Sequence, residues 1–198
     1  MERPDPFSLF DEWFAEARTT EINDPNAMAL ATTGVDGQPS VRMVLLKGHG
    51  RDLGTQGGFI FYTNFESAKA RDISSNPEVA LLFLWLPLER PVIIRGRAEK
   101  VSTTESMKYF LSRPRGSQLG AWVSQQSSVV SSRSLLEGKL EEMKQKFANK
   151  DVSLPSFWGG FRVVPRSIEF WQGRPNRMHD RFMYTRDGAH WQANRLAP

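Results

Sequence analysis

The chain has no cysteine among its 198 residues, which removes disulfides, thiolate nucleophiles, iron-sulfur ligation and cysteine-based zinc sites. Histidine is almost as scarce. His49, His179 and His190 make up the set of 3, scattered with no i, i+4 spacing. A histidine-rich metal site is therefore not expected, and redox chemistry has to come from a bound organic cofactor. Long apolar runs are missing as well: the longest, Val79–Leu86, is far below the roughly 20 residues that span a bilayer. The acidic, proline-containing start of the chain lacks the layout of a signal peptide. These absences predict a cytoplasmic protein without a membrane partner. No glycine-rich strand-turn-helix fingerprint is present, so a Rossmann dinucleotide site is not supported. No run of five or six Lys/Arg exists either. The formal charge of +4 is spread out, and its arginines sit beside Tyr, Ser and Trp, which points to small phosphates and away from nucleic acid.

What is present reads as one domain over residues 1–198, with 39% hydrophobic and 24% charged residues, ordinary for a globular protein. Asp5-Pro6 starts a helix on which Phe10, Trp13, Phe14 and Ala17 form one face. Ala27–Thr33 and Ser40–Lys47 read as strands around a Val35-Asp36-Gly37-Gln38 turn, and Gly58–Thr63 as a third. Gly48–Gly57, with four glycines, reads as a mobile surface loop. Ser67–Ser75 is a short helix ended by Asn76-Pro77. Val79–Trp85 and Val92–Val101 are further strands, the first apolar on both faces and so central. Ser102-Thr103-Thr104-Glu105 is a capping box opening a helix through Leu111. The serine-rich stretch from Gln125 to Ser134 could pass for a linker, but a helix with Leu136, Leu140, Met143 and Phe147 on one face follows at once. Asp187-Gly188 marks a hairpin between Arg181–Arg186 and His190–Leu196. Several mostly antiparallel strands decorated by helices give an α+β, mainly β class.

The densest chemistry lies near the end. Trp158-Gly159-Gly160-Phe161-Arg162 and Ile168-Glu169-Phe170-Trp171-Gln172-Gly173-Arg174 are followed by Arg177-Met178-His179-Asp180-Arg181. Flat apolar faces beside planar cationic donors suit an anionic aromatic ligand such as a phosphorylated flavin or pyridine. Elsewhere, Tyr62 and Thr63 end a strand and Lys69 sits in the first turn of the next helix, a combination that can hold a phosphate or be a plain turn with a solvated lysine. Tyr109, Arg113 and Ser117 recur at intervals of four around a proline, either phosphate donors or a helix end capped by a cation. Arg42 and Lys47, five apart on one apolar strand, point to opposite faces and on spacing alone are as well read as edge charges.

The run Pro155–Pro198, ending Arg195-Leu196-Ala197-Pro198, resembles the C-terminal signature of the pyridoxine/pyridoxamine 5'-phosphate oxidase family. Arg42-Met43-Val44-Leu45-Leu46-Lys47, Phe61-Tyr62-Thr63-Asn64, Met107-Lys108-Tyr109-Phe110, Ser112-Arg113-Pro114-Arg115 and Gly120-Ala121-Trp122-Val123-Ser124 resemble it too, in order and spacing. The resemblance implies an FMN-binding split β-barrel that forms a homodimer, with two FMN molecules in clefts between subunits and a family-specific strand region over about 155–198. It implies cofactor contacts from Arg42, Met43, Val44, Leu45, Lys47, Tyr62, Thr63, Lys69, Gln126, Ser127, Trp171 and Arg181. Lys47, Tyr109, Arg113 and Ser117 would take the substrate phosphate, and Arg177 and His179 would meet the substrate ring as the catalytic pair. The implied reaction oxidises pyridoxamine or pyridoxine 5'-phosphate to pyridoxal 5'-phosphate by hydride transfer to FMN, with dioxygen as acceptor and hydrogen peroxide as product. A split-barrel protein that binds FMN or pyridoxal phosphate without turnover is the competing reading; it does not need the full substrate set. The chain departs from the family pattern at Ala68 (usually Arg), Pro91 (usually Gln) and Met178 (usually Leu).

Overall fold

The computed structural model describes residues 3–124 and 126–198, so Gln125 of the serine-rich stretch lies outside the described residues. Helix α1 (Pro6–Ala17) opens as its sequence dictates: Asp5 is the N-cap, its carboxylate accepting from the Ser8 N–H at 3.3 Å, and Pro6 takes the first position, where no N–H is needed. Phe10, Trp13 and Ala17 are buried and Phe14 packs against them.

Strands β1 (Ala27–Thr33), β2 (Pro39–Leu45), β3 (Gly48–Gly50) and β4 (Gly58–Asn64) lead to helix α2 (Ala68–Ser75). Strands β5 (Glu78–Trp85) and β6 (Arg90–Lys100) follow, joined by a short 3-10 turn that ends at Glu89 with φ 52°. Then come helices α3 (Thr103–Ser112), α4 (Arg115–Val123) and α5 (Arg133–Lys146), and strands β7 (Trp158–Gln172), β8 (Asp180–Asp187) and β9 (His190–Leu196). Among the described residues nine strands make one sheet in the order β2-β1-β5-β6-β7-β4-β3, with β8 joining β7 to β9. Every pairing among the described residues is antiparallel.

β7 organises the sheet. Along one edge it pairs with β6, and along the other it pairs first with β4 (Trp158–Val163) and then with β8 (Ser167–Gln172). The register shifts between Arg95 and Gly96, opposite Pro165, which has no N–H to give the ladder. A Cβ on Gly96 would lie 2.2 Å from the Val164 carbonyl oxygen, so only glycine permits this approach.

The sheet has two unlike faces. Leu30, Leu81, Phe83, Val92, Ile94, Ile168, Phe170, Phe182 and Tyr184 point inward and pack with α1 into the main core. On the opposite face a row of directly opposed residues crosses the sheet through Met43, Ala29, Leu82, Ile93, Glu169 and Met183. Val41, Met43, Leu45, Leu84 and Leu86 are exposed there. β5 is interior and apolar on both faces, as its sequence predicts, but its second face is not covered within this chain.

Three details differ from the sequence reading. The segment read as a mobile loop begins with β3, which pairs with β4 across Gly48↔Ile60 and Gly50↔Gly58; only its remainder is turn. Helix α4 has no counterpart in that reading, because Pro114, Gly116 and Gly120 mask it with poor helix formers, while Gln118, Leu119 and Ala121 bury its inner side. In the last hairpin Asp187 pairs with His190, so the two turn residues are Gly188 and Ala189, with Gly188 at φ 56° in the first place.

Candidate functional site

The end of β2, the end of β4, the first turn of α2, the end of α3 and the start of β7 enclose a cavity of about 250 Å³. Its lining is Met43, Val44, Leu45, Lys47, Tyr62, Thr63, Lys69, Tyr109, Arg113, Gln126 and Trp158. All of them lie in the sequence motifs, and all but Trp158 were given a site role there. The alternation of β2 continues past its end: Val44 and Leu46 turn inward, while Leu45 and Lys47 are exposed. Arg42 and Lys47 therefore leave the chain on opposite sides, as their spacing predicts.

At one end of the cavity polar groups converge on the N-terminus of α2. Lys69 Nζ donates to Thr63 Oγ1 at 3.3 Å and to Gln126 Oε1 at 3.1 Å, and Thr63 Oγ1 donates to the same Gln126 oxygen at 3.0 Å. The Ala68 N–H donates to Ser127 Oγ at 3.2 Å, so the position without an arginine side chain still supplies a backbone donor. Ser127 takes φ 69° to reach it. Arg42 Nη1 donates to Thr32 Oγ1 at 2.5 Å and to the Leu30 carbonyl at 3.2 Å, and Nη2 lies 3.6 Å from Asp72. Burial, then the Arg42 charge, lowers the Lys69 pKa; burial also lowers that of Arg42 against the pull of Asp72. Ser67 Oγ is buried with no partner although Ser67 is the N-cap of α2. Two mutually disfavoured cations, an idle hydroxyl and helix N–H groups fit a phosphate, which would relieve all three.

Aromatic rings form the other wall. Tyr62 stacks on Tyr109 with centroids 4.0 Å apart, and on Trp158 at 5.3 Å. Burial first, then Glu105 and Tyr109, pushes the Tyr62 hydroxyl up to about 12. Arg113 lies over the Trp158 ring at 4.9 Å. Its Nη1 is buried without a hydrogen-bond partner, and burial lowers its pKa. A guanidinium held this way is short of an acceptor, which an anionic ligand provides. Ser117 does not join this lining: it is exposed in the first turn of α4, its N–H donating to the Pro114 carbonyl at 2.8 Å.

The remaining candidates lie elsewhere. Trp171 and His179 line a second cavity of about 630 Å³ with Leu84, Leu86, Glu89, Pro91, Gly173, Arg174 and Pro175. The two rings are 5.2 Å apart, and His179 Nδ1 accepts from the Arg174 N–H at 3.2 Å. Arg181, opposite Trp171 on β8, lies over its indole at 4.6 Å. Arg177 is exposed at φ 60° and belongs to neither lining. The two cavities share no residue. The flavin contacts implied by resemblance are thus divided within one chain, and the smaller cavity is below the roughly 300–1,000 Å³ of common small-molecule sites.

Residues 14–147 match the family model described as pyridoxamine 5'-phosphate oxidase, and residues 158–198 match the pyridoxine 5'-phosphate oxidase C-terminal dimerisation region. The chain belongs to the pyridoxamine 5'-phosphate oxidase family. It is 60% identical over 196 residues to the pyridoxine/pyridoxamine 5'-phosphate oxidase of Crocosphaera subtropica, covering 98% of this chain and 89% of that one. It is 58% identical over 195 residues to the protein of the same name from Rippkaea orientalis, covering 98% and 90%. Among solved structures it superposes on PhzG from Burkholderia lata 383, crystallised with tetrahydrophenazine-1-carboxylic acid, with TM-score 0.91, 27% identity and coverage of 99% and 94%. The fold is the split β-barrel of this family. A pyridoxamine 5'-phosphate oxidase-related, FMN-binding protein from Nostoc punctiforme shares it at TM-score 0.78 and 15% identity, covering 100% of both chains.

Three residues at the candidate site were given no role by the motifs. Trp158 supports Arg113, Ser67 places an unpartnered hydroxyl at α2, and Glu169 binds Arg181. Trp158 and Glu169 lie in the aromatic blocks near the end of the chain, but nothing there distinguished their roles. Serine before a helix and glutamate in an apolar strand are too common to stand out.

Proposed function

We propose that this protein oxidises pyridoxamine 5'-phosphate and pyridoxine 5'-phosphate to pyridoxal 5'-phosphate, with FMN as cofactor, dioxygen as acceptor reduced to hydrogen peroxide, water consumed and ammonia released in the case of the amine, and a homodimer as the working form. The observation that carries the reading is one cavity lined by two sets of cationic and hydroxyl side chains, Lys69 with Thr63 at the α2 end and Lys47 with Tyr109 and Arg113, while Arg42 lies outside the lining but close enough for its charge to act on Lys69. A flavin phosphate and a substrate phosphate need two such sets. A protein that merely stores flavin needs one. The sequence identity to relatives named as this oxidase supports the same choice.

The dimer is supported by the uncovered apolar face and by the match to the dimerisation region. A second copy laid on that face would bring Trp171, His179 and Arg181 of one chain toward the cavity of the other, which neither chain completes alone.

In this reading Arg42, Lys69, Thr63, Gln126 and Ser127 hold the FMN phosphate end, and Met43 to Leu45 and Trp171 border the ring system. The chemistry that FMN would supply when held there is two-electron oxidation of the substrate at C4', with dioxygen as final acceptor. Lys47, Tyr109 and Arg113, with Ser117, anchor the substrate through its phosphate, remote from the reacting carbon. Arg177 lays a guanidinium face on the pyridine ring, and His179 meets the 3-hydroxyl. The protein contributes orientation and charge and no covalent nucleophile.

The test is aerobic turnover by the purified, FMN-loaded protein. The reading expects hydrogen peroxide and pyridoxal phosphate absorbance to appear together with either substrate. Tight flavin binding without either product would leave the non-catalytic binder standing.

A further inference from the structure

The sheet row Met43, Ala29, Leu82, Ile93, Glu169 and Met183 contains one charged side chain, Glu169, and it is 2% exposed. A carboxylate buried in an apolar row is unfavourable unless it is paired and hydrogen-bonded. Glu169 is paired chiefly through one oxygen. Its Oε1 accepts from both Nε and Nη2 of Arg181, at 2.9 and 2.7 Å, while Oε2 lies 3.8 Å from Arg95 Nη1. The remaining edge of the Arg181 guanidinium is held by Nη1 donating to the Ala197 carbonyl at 2.8 Å. The face of that guanidinium rests 4.6 Å from the centre of the Trp171 ring, itself beside His179.

The geometry follows from the sheet. Arg181 stands directly opposite Trp171, and Glu169 shares the face of Trp171 two residues back, diagonal to Arg181. Arg95 reaches Glu169 from the other neighbour, β6, where it is opposite Ser167. One acid therefore clamps one arginine firmly and touches another loosely. The firm partner is the one in contact with the indole.

We infer that Glu169 is a positioning residue for the flavin site: it fixes the plane of Arg181 against Trp171 and offsets the Arg181 charge beside the cofactor. This rests on the reading that Trp171 and Arg181 border FMN. Two jobs, orientation and charge balance, can be separated by substitution. Glu169→Asp keeps the charge but withdraws the acceptor by one methylene. Glu169→Gln keeps the length and one acceptor oxygen but removes the charge, leaving the Arg181 cation uncompensated and favouring the more negative, reduced flavin.

The experiment measures the FMN dissociation constant by fluorescence quenching and the flavin midpoint potential by potentiometric titration, in the parent, E169D, E169Q and R95Q. Glu169→Asp is expected to weaken FMN binding by roughly tenfold at an unchanged potential, the order of one charge-assisted hydrogen bond. Glu169→Gln is expected to raise the preference for reduced over oxidised FMN about tenfold, a positive shift of about 30 mV for a two-electron couple. Arg95→Gln is expected to match the parent in both. Parent-like constants and potentials in both Glu169 variants overturn the inference, as does an Arg95→Gln protein that loses as much as they do. Where Glu169→Gln does not fold, the dissociation constant of Glu169→Asp decides. A parent that takes up no FMN overturns the functional reading beneath and is recognised before any variant is made.

Discussion

The rings of Tyr62 and Tyr109 lie face to face, centroids 4.0 Å apart and planes 19° from parallel, bringing the end of β4 against α3. Each side chain belongs to a different motif, separated by the whole of β5 and β6. Their contact makes one wall of the cavity and has a measurable consequence in alkali.

Tyr62 is held protonated up to about 12 in the folded chain, against a usual value of 10.0. Below the usual value both folded and unfolded chains are protonated there, and the group adds no pH dependence. As pH rises from about 10 toward 12 the unfolded chain ionises first, so folding stability falls. Tyr62→Phe removes this term while leaving Tyr109 and Tyr184 in place. The thermal midpoint of the parent relative to Tyr62→Phe should therefore be lower at pH 11 than at pH 8. An offset that does not change between the two would mean that Tyr62 ionises as it does in an unfolded chain.

Inorganic phosphate should stabilise the flavin-free protein through the Arg42 and Lys69 site. A hundredfold excess over the dissociation constant gives about 2.7 kcal/mol, roughly 5 to 10 °C in melting temperature for a chain of this size. Lys69→Met should abolish most of the increment while chloride at matched ionic strength produces none. A parent whose melting temperature ignores phosphate would show that these cations do not form an anion site.

Replacing Arg113 by Ala should raise the apparent Michaelis constant for pyridoxamine 5'-phosphate far more than it lowers turnover. The contact is charge-assisted, made by a guanidinium that now lacks an acceptor at Nη1, and its loss corresponds to roughly 1.5 to 3 kcal/mol, or about one to two decades. Steady-state kinetics indistinguishable from the parent would remove Arg113 from the substrate site.

Pro91 pairs with Leu84 and lines the cavity of Trp171 and His179. It has neither the backbone N–H nor the amide that a glutamine would offer there. Pro91→Gln should tighten FMN binding by no more than about tenfold, because a neutral hydrogen bond contributes only about 0.5 to 1.5 kcal/mol beside the larger phosphate contacts, and should shift the reduction potential. Unchanged affinity together with unchanged potential would mean that position 91 does not face the flavin.

Much of the architecture is local enough to be legible in the chain. The Asp5 cap with its Phe10, Trp13 and Ala17 face, the Ser102 and Glu105 capping box and the glycine turn of the last hairpin each depend on residues a few positions apart. Their physics is that of short-range hydrogen bonds and period, which sequence displays directly. The site residues from Arg42 to Arg181 stood out because their chemistry is rare and their motifs match a family.

Other features were decided only in three dimensions. α4 is written in glycines and a proline and exists because Leu119 and Ala121 find a core to bury in. Trp158 supports Arg113 from 45 positions further along the chain. Glu169 resembles an ordinary strand glutamate until the registers of β6, β7 and β8 bring two arginines to it. The division of the candidate flavin residues between two cavities, and the apolar face beside them, also arise from strand order and pleat. Local sequence cannot state these relations, because each depends on which distant segment becomes a neighbour and on which face of it is presented.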